Sequence, residues 1–380
     1  MDNPGSVIWI TGFPASGKTT VARTLDRLLR ETGRPIVWLD GEDLRSLLSH
    51  RWGYARADRI EISKVYLRLC RHLASQGQTV VLSAVAMYDE VHSWVRAFVP
   101  GGTIVYLRVP LDERVRRDAE SRQIYAQVGD FAELYDEPAG ADLIVDNHGL
   151  VSADDAAAQI VEYLGRTSAR RADLGRTEHW DRFYATDRAP ITPSTFAQVV
   201  ASQLAPAQRL VDVGCGNGRD AALFASLGHH VTGIDPSAVA ITRCGERFVA
   251  PNLTFVRGTL PEQGLRASSH DAVYCRFVLH AMPLDEEVAT LQAARSVLRP
   301  GGRFFIEARS VTDPLARQGE VLSPDERVHD HYRRFLVRAD VEARLQACGF
   351  RVASSLESRG LSVHGGDDPA LIRITAVAEA

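Results

Sequence analysis

The 380-residue sequence lacks the features that mark several classes of protein. Its five cysteines stand apart without a CxxC pair, so neither a disulfide framework nor a cysteine zinc site is indicated. The formal net charge of −4 argues against a general nucleic-acid-binding surface. No apolar run reaches the ~18 residues of a membrane span, and the N-terminus has no basic flank or cleavage site of a secretory signal. We therefore expect a cytoplasmic protein with reduced thiols and neither membrane nor nucleic acid as partner.

The sequence does contain two series of apolar runs that alternate with helical patterns. The runs are continuous rather than alternating, which is typical of parallel strands buried on both faces. The predicted strands of the first series are residues 7–10, 36–39, 80–82, 104–109 and 143–145. Those of the second series are residues 210–213, 231–234, 253–256, 272–275, 303–308, 351–355 and 371–377. Helical patterns at residues 19–30 and 59–75 complete the prediction of an α/β fold.

A polar, basic stretch, GRTSARRADLGRT at residues 165–177, separates the two series. The chain length also favours two domains over one. We predict an N-terminal domain of residues 1–168, a linker of residues 169–178 and a C-terminal domain of residues 179–380.

The segment GFPASGKT, residues 12–19, follows the first predicted strand and opens a predicted helix. It satisfies the phosphate-binding pattern G-x-x-x-x-G-K-[ST] in the required context. Backbone N–H groups of such a loop face phosphates, the lysine reaches the β- and γ-phosphates of ATP, and the threonine ligates Mg²⁺. The candidate ATP and Mg²⁺ ligands are Gly12, Ala15, Ser16, Gly17, Lys18, Thr19 and Thr20, with Thr19 on the metal.

The segment LDGEDLR, residues 39–45, ends the second predicted strand, where α/β sheets bind ligands. Asp40 could accept a hydroxyl proton, and Arg45 could hold a substrate phosphate. The alternative is a helix N-cap followed by a surface arginine.

Taken together, four segments resemble the adenylylsulfate (APS) kinases in order and spacing. They are the phosphate-binding loop, LDGEDLR, WGYARADR at residues 52–59 and YLRVPL at residues 106–111. The resemblance implies a parallel-sheet P-loop kinase that transfers the ATP γ-phosphate to a ribose 3′-hydroxyl of a nucleotide. It implies Asp40 as the base and Arg45, Tyr54, Arg59 and Tyr125 as acceptor-binding residues.

Two departures from the family set the acceptor apart. Ile62 stands where the family has an Asn that contacts substrate, and VAMYD at residues 85–89 replaces I-S-P-Y-R, so that Asp89 replaces the arginine. We therefore expect a nucleotide-linked metabolite other than APS, as in the related cytidine diphosphoramidate kinases.

In the second half, LVDVGCGNGRD at residues 210–220 lies between a predicted strand and helix, and Asp235 follows Gly214 by 21 residues. This spacing suits an acidic residue that binds ribose hydroxyls; a dinucleotide-binding domain is the rival. The segment resembles motif I of the Rossmann-like S-adenosylmethionine (SAM) methyltransferases, which have a seven-stranded sheet. The SAM-binding residues implied are Asp212, Gly214, Gly216, Asn217, Gly218, Asp235, Pro236 and Arg276.

Residues on the acceptor side of such a fold follow its fourth strand and lie in the insertion after its fifth. His280 could act as a base or orient the acceptor, and a structural histidine is the alternative. The segment HWDRFY, residues 179–184, resembles a cap over SAM, and Tyr184 is its candidate acceptor residue; an amphipathic helix packed on the core is the alternative. The segment HDHYRRF, residues 329–335, offers His329, His331, Arg333 and Arg334 to an anionic acceptor; a solvated helix face is the alternative.

These patterns predict a bifunctional enzyme whose two domains act on the same or related small polar or anionic metabolites. A genuine APS kinase fused to an independent methyltransferase remains open. Two further alternatives are an RNA-end kinase and methyltransferase, and a degenerate nucleotide-sensing module. A homodimer is compatible with the sequence.

Overall fold

The computed structural model describes residues 5–33, 35–48, 52–53, 55–99, 101–120, 123–128, 134–138, 140–172, 176–186 and 189–379. The chain separates into two compact units, Met1–Arg171 and Ala172–Ala380. Within the described ranges, no helix is both long and apolar enough to cross a membrane.

The first unit is built on a five-stranded parallel sheet of order β2-β3-β1-β4-β5. Its strands are β1 (Ser6–Thr11), β2 (Ile36–Asp40), β3 (Thr79–Ser83), β4 (Thr103–Arg108) and β5 (Leu143–Asp146). Its helices are α1 (Lys18–Arg30), α2 (Gly41–Leu47), α3 (Arg56–Ser75), α4 (Asp89–Phe98), α5 (Leu111–Ala119), α6 (Ile124–Val128) and α7 (Ala153–Ala172).

Both faces of this sheet are covered, which explains the continuous apolar runs. Along β1, Trp9 packs into the core beneath α3 and α4, while Ile8 and Ile10 pack against α1. On α1 the buried residues recur at helical spacing from Val21 to Leu29, so one stripe of the helix meets the sheet. Because all five strands run in the same direction, their carboxyl ends lie at one edge of the sheet.

The second unit is a seven-stranded sheet of order β14-β15-β10-β9-β6-β7-β8, in which β15 runs antiparallel to β10 and β14. Its strands are β6 (Arg209–Val213), β7 (His230–Asp235), β8 (Leu253–Arg257), β9 (His270–Arg276), β10 (Leu298–Arg309), β14 (Phe350–Ser358) and β15 (Leu371–Ala378). Its helices are α8 (Arg176–Tyr184), α9 (Thr195–Ala201), α10 (Arg219–Ser226), α11 (Ala238–Arg247), α12 (Leu284–Val297) and α13 (Arg338–Ala347). The prediction of two α/β folds, the second with seven strands, is confirmed.

The insertion between β10 and α13 forms a separate three-stranded antiparallel sheet of β11 (Glu320–Val321), β12 (Glu326–Val328) and β13 (Tyr332–Arg334). The segment HDHYRRF is thus a turn and a strand rather than a helix face, and the helical alternative is wrong.

The polar stretch expected as a linker is helical over much of its length. Helix α7 continues to Ala172 and α8 begins at Arg176. A polar sequence predicts exposure but does not fix the backbone, and the arginines and alanines of this stretch are good helix formers.

Candidate active sites

The loop between β1 and α1 has the backbone shape of a phosphate-binding loop. Gly17 has φ 87°, and a Cβ there would lie 2.8 Å from the Asn147 side-chain nitrogen, so only glycine fits. Asn147 in turn donates a 2.8 Å hydrogen bond to the Ser16 carbonyl and fixes the loop. The Lys18 ammonium lies over the loop, 2.8 Å from the Phe13 carbonyl. This cradle fits a phosphate chain.

The remaining predicted ATP residues fall on the same loop and the first turn of α1. Ser16 is fully buried, whereas Thr19 and Thr20 are exposed. A Cβ at Gly12 would approach Ser16 Oγ to 2.6 Å, and Ala15 has a positive φ of 59°.

Asp40 joins three elements at the carboxyl edge of the sheet. Its Oδ1 accepts from the Glu42 backbone N–H at 2.9 Å, which caps α2. Its Oδ2 accepts from Thr19 Oγ1 at 2.9 Å and from Ser83 Oγ at 2.8 Å. The predicted base and the predicted metal ligand are therefore direct neighbours, and Asp40 is at the same time the N-cap of α2.

The two predicted acceptor arginines point toward the same region from α2 and α3. Arg45 donates to the carbonyls of Trp52, at 3.1 Å, and Gly53, at 2.6 Å. Arg59 donates to the Tyr135 hydroxyl at 2.8 Å. Tyr54, the predicted base-stacking residue, lies outside the described residues.

Tyr125 does not have the environment expected of an acceptor-binding residue. Its side chain is buried, its hydroxyl donates to the Pro14 carbonyl at 3.0 Å, and it accepts from Arg114 at 3.1 Å. The guanidinium of Arg114 also lies 4.1 Å from the Phe13 ring centroid. Tyr125 therefore contacts the phosphate-binding loop from α6, and a contact between Tyr125 and the acceptor stays a prediction.

Tyr88, which sequence reasoning did not select, lies near the predicted acceptor residue Arg59. Its hydroxyl is buried and makes no hydrogen bond within the described part of the chain, and the Arg56 guanidinium lies 5.0 Å from its ring centroid. Burial raises the pKa of Tyr88 to about 12. Tyr88 belongs to the VAMYD segment, which differs from the family's sequence, and this difference could have drawn attention to it.

The second site forms at the carboxyl ends of β6 and β7. Asp235 accepts from the backbone N–H groups of Gly216 and Ser237, both at 2.9 Å, and burial raises its pKa to about 6. Asp212 is fully buried, which raises its pKa well above the usual range, and its Oδ2 has no hydrogen-bond partner among the described residues. An orphaned buried carboxylate beside a glycine-rich loop fits the ammonium of SAM.

Helix α8 lies across the glycine-rich loop. A Cβ at Gly216, where φ is 54°, would lie 2.2 Å from the Tyr184 hydroxyl, so Tyr184 belongs to the cofactor side of the cleft. Asp181, which sequence reasoning did not select, accepts from Ser237 Oγ at 2.6 Å and ties α8 to the turn after β7. Tyr184 thus lies against the glycine-rich loop, and its role toward the methyl acceptor stays a prediction.

The other predicted SAM residues differ in whether they lie on the glycine-rich loop and in where their side chains point. Gly214 and Gly218 adopt the left-handed conformation of the same loop. The Asn217 side chain turns away to donate to the Pro190 carbonyl at 2.8 Å, and Pro236 follows Asp235 in the β7–α11 turn. Arg276 is bonded to the buried Glu307 at 2.9 Å, so it is already neutralised by a carboxylate.

His280 is buried behind the end of β9, in a 3₁₀ turn. Burial, with Arg309, Arg333, His331 and Arg276 nearby, lowers its pKa well below the usual range. Its Nδ1 accepts from the Arg309 backbone N–H at 3.2 Å, so the neutral ring carries its proton on Nε2. That nitrogen can donate to an acceptor but cannot remove a proton, and the geometry favours the orienting role over the base.

The predicted basic cluster is neutralised within the fold. Arg334 is fully buried in contact with Glu287, which also accepts from Arg344 at 2.8 Å. Arg333 is bonded to Asp330 at 2.5 Å, and His329 is exposed. The ion pair places Arg334 in the core, where a buried guanidinium requires a carboxylate partner, and its role toward an acceptor stays a prediction. His331 and Arg333 do face the region of His280.

Comparisons with known proteins find one family match in each unit of the chain. The family described as Adenylylsulphate kinase matches residues 4–146, and the family described as Methyltransferase domain matches residues 210–302. An adenylyl-sulfate kinase of Chloroflexus aurantiacus is 36% identical over 130 residues, which are 34% of this chain and 70% of that protein. A cytidine diphosphoramidate kinase of Campylobacter jejuni is 30% identical over 154 residues, 39% of this chain and 89% of that protein.

Among solved structures, a SAM-dependent methyltransferase of Methanosarcina mazei is similar to the chain at 16% identity and a TM-score of 0.42. The match covers 48% of this chain and 97% of that one.

The two sites define a transferase in which a P-loop kinase is fused to a SAM-dependent methyltransferase. The chain belongs to the adenylylsulfate kinase family through its N-terminal unit. The kinase domain implies ATP as the phosphoryl donor, and the methyltransferase domain implies SAM as the methyl donor.

Proposed function

We propose that the kinase, residues 1–168, phosphorylates the ribose 3′-hydroxyl of a nucleotide-linked small metabolite with ATP and Mg²⁺. The methyltransferase, residues 179–380, acts on the same or a related small polar metabolite. The observation that carries the kinase half is the junction of Lys18, Thr19 and Asp40 at one edge of the sheet. The phosphate-binding loop therefore lies next to the Thr19 hydroxyl, which in turn contacts the Asp40 carboxylate.

In this junction Asp40 has the geometry of a base that can also assist the metal. One carboxylate oxygen caps α2, and the other accepts hydrogen bonds from the hydroxyl groups of Thr19 and Ser83. The hydroxyl of Thr19 would hold Mg²⁺, and the metal would supply positive charge to the phosphate oxygens. The acceptor hydroxyl would take the place of one of these donors and pass its proton to Oδ2.

Several contacts favour a nucleotide other than APS as the acceptor. Ile62, which stands at the position of the family's Asn, is buried in the apolar core and offers no polar group. Asp89, in place of the family's arginine, begins α4. The buried hydroxyl of Tyr88 offers a hydrogen-bonding group in the same VAMYD segment. The resemblance to a cytidine diphosphoramidate kinase supports this choice.

In the methyltransferase, binding and orientation supply most of the catalysis, because the methyl group of a sulfonium is already reactive. Asp212 would hold the ammonium of SAM and Asp235 its ribose hydroxyls. The Nε2–H of His280 would orient a polar acceptor atom. Carboxylates already neutralise the nearby arginines, so a polar acceptor fits better than a strongly anionic one.

A substrate screen with the full chain tests the proposal. ATP consumption is measured against APS, cytidine diphosphate derivatives and other nucleotides, and products are identified by mass spectrometry, with Lys18→Ala as the blank. We expect 3′-phosphorylation of a nucleotide other than APS. If APS is the best substrate, the chain is a genuine APS kinase with a fused methyltransferase, and the acceptor proposal fails.

The order of the two reactions is tested with the Lys18→Ala protein, which cannot interconvert phosphorylated and unphosphorylated acceptors. Methyl transfer to each form is then compared. Faster methylation of the phosphorylated form would place the kinase first, and faster methylation of the precursor would place the methyltransferase first.

A further inference from the structure

Three side chains with metal-binding atoms converge where α8 meets the turn between β12 and β13. His179 comes from α8, and Asp330 and His331 come from the turn. One ligand atom of each lies within 4.8 Å of the others. The two imidazole rings are 4.4 Å apart between centroids and tilted by 36°, so they contact each other without an intervening side chain.

One ring nitrogen of this group is buried, with the Asp330 carboxylate beside it. The His331 side chain is only 10% exposed, and its Nδ1 makes no hydrogen bond to any residue that the structure describes. Asp330 Oδ2 is 3.1 Å from this nitrogen, but the direction of approach does not meet hydrogen-bond geometry. A buried polar atom without a partner is costly, so a ligand at this point would stabilise the fold.

The carboxylate of the group is held in place from its other side. Arg333 donates to Asp330 Oδ1 at 2.5 Å and to Oδ2 at 3.3 Å. Hydrogen bonds of this kind orient metal-ligating carboxylates in proteins. Each oxygen keeps a lone pair that the guanidinium does not use.

We propose that His179, Asp330 and His331 bind a divalent transition-metal ion such as Zn²⁺. Two imidazoles and one carboxylate form a ligand set that suits zinc, iron, cobalt and nickel better than Mg²⁺ or Ca²⁺. Three protein ligands leave at least one coordination position for water or for an oxygen of a bound molecule. The ligand atoms need to close by a side-chain rotation, because zinc–nitrogen bonds are ~2.0–2.1 Å long.

The ion would fasten the cap to the body of the methyltransferase unit. His179 shares α8 with Asp181, which is bonded to Ser237, and with Tyr184, which lies over Gly216. The turn carrying Asp330 and His331 belongs to the three-stranded sheet inserted after β10. Metal binding would thus join the start of the unit to this inserted sheet and raise its thermal stability.

Titration of the full chain with Co²⁺ tests the site directly, because cobalt reports its ligands through visible absorption and needs no methyl acceptor. The protein is made without a histidine tag and treated with a chelator beforehand. We expect one equivalent to bind, Zn²⁺ to displace it and excess Mg²⁺ to leave it in place. His179→Ala and His331→Ala should each weaken Co²⁺ binding tenfold or more.

His230→Ala is the matched control, since it removes an exposed imidazole from the same unit at the start of β7. It should bind Co²⁺ as the wild type does. SAM binding by each variant shows that the unit is folded. If His331→Ala does not fold, the cobalt affinity of His179→Ala tests the site, because His179 is only half-buried. The proposal is overturned if no stoichiometric absorption develops, or if His179→Ala binds cobalt as tightly as His230→Ala.

Discussion

The hydroxyl of Thr19 donates a 2.9 Å hydrogen bond to the carboxylate of Asp40, across 21 positions of sequence. The contact links the first turn of α1 with the end of β2. The hydrogen bond joins a predicted Mg²⁺ ligand to a predicted base. The effects of substitutions at the two positions on kinase turnover should therefore not be additive.

Asp40→Asn should lower the turnover of the kinase by ~10²–10⁴-fold, because an amide cannot take the acceptor proton. Ser83→Ala, which removes one of the hydrogen bonds to the same carboxylate, should cost about tenfold or less. Turnover is measured as ADP release over a range of Mg²⁺ concentrations. A loss that high Mg²⁺ restores would make Asp40 a metal-binding residue instead of a base.

Lys18→Ala should abolish phosphoryl transfer and leave SAM affinity unchanged, since the two cofactors belong to different units. Lys64→Ala is the matched control, because Lys64 is the only other lysine of the chain and lies on α3. Kinase assays and SAM calorimetry on both variants check the prediction. A Lys18→Ala protein that retains wild-type turnover would refute the assignment of the phosphate-binding loop.

SAM affinity should fall as the pH drops below about 6, because ribose hydroxyls donate to the ionised form of Asp235, whose pKa burial raises to about 6. The decrease approaches tenfold per pH unit for one required deprotonation. Asp235→Asn should weaken SAM binding by ~1–3 kcal/mol at neutral pH and remove this part of the pH dependence. Calorimetry of both proteins between about pH 5 and pH 7.5 tests it.

The same group sets a pH dependence of stability in the absence of SAM. The folded state retains its proton up to about pH 6, whereas the ordinary value is 3.8, so the free energy of unfolding falls as the pH rises through this window. The decrease is at most about 3 kcal/mol. Asp212 remains in Asp235→Asn, so the difference between the two denaturation profiles isolates Asp235.

Arg334→Ala should destabilise the methyltransferase unit by ~3–5 kcal/mol, because it breaks a buried ion pair with Glu287. Burial alone would raise the pKa of Glu287, but the two guanidinium groups of Arg344 and Arg334 outweigh this effect and lower the pKa overall. The carboxylate therefore stays ionised and needs both partners. Arg299→Ala is the control: its pair with Asp271 is 57% exposed on the arginine side and should be worth ~0–1 kcal/mol. Equal denaturant midpoints for the two variants would contradict the role in the core.

His280→Asn should change the KM for the methyl acceptor more than kcat, since an amide oxygen can still accept from the Arg309 backbone N–H. The wild-type rate should show no inflection from His280 between about pH 6 and pH 8, because its pKa lies well below that range. Steady-state kinetics with the acceptor found in the screen provide the test. A fall in kcat of ~10²-fold or more, with an inflection that the variant loses, would restore His280 as the base.

The fold and the two cofactor loops could be predicted because their signals are local. Continuous apolar runs predict buried parallel strands, and the glycines at positions 17 and 216 are required by the backbone at their own positions. The prediction that the chain combines a P-loop kinase with a SAM methyltransferase is confirmed. The roles of the individual site residues, the linker bounds and a homodimer stay predictions.

The partners of the polar side chains were decided by the tertiary structure. Sequence alone placed Arg333 and Arg334 together as anion-binding groups, yet neighbouring positions on β13 face opposite ways, and Arg334 meets Glu287 from α12 inside the core. Tyr125 and Asn147 likewise reach the phosphate-binding loop from elements more than a hundred residues away. Charge pairing and hydrogen bonding depend on distances of a few ångströms between remote segments, which spacing along the chain does not encode.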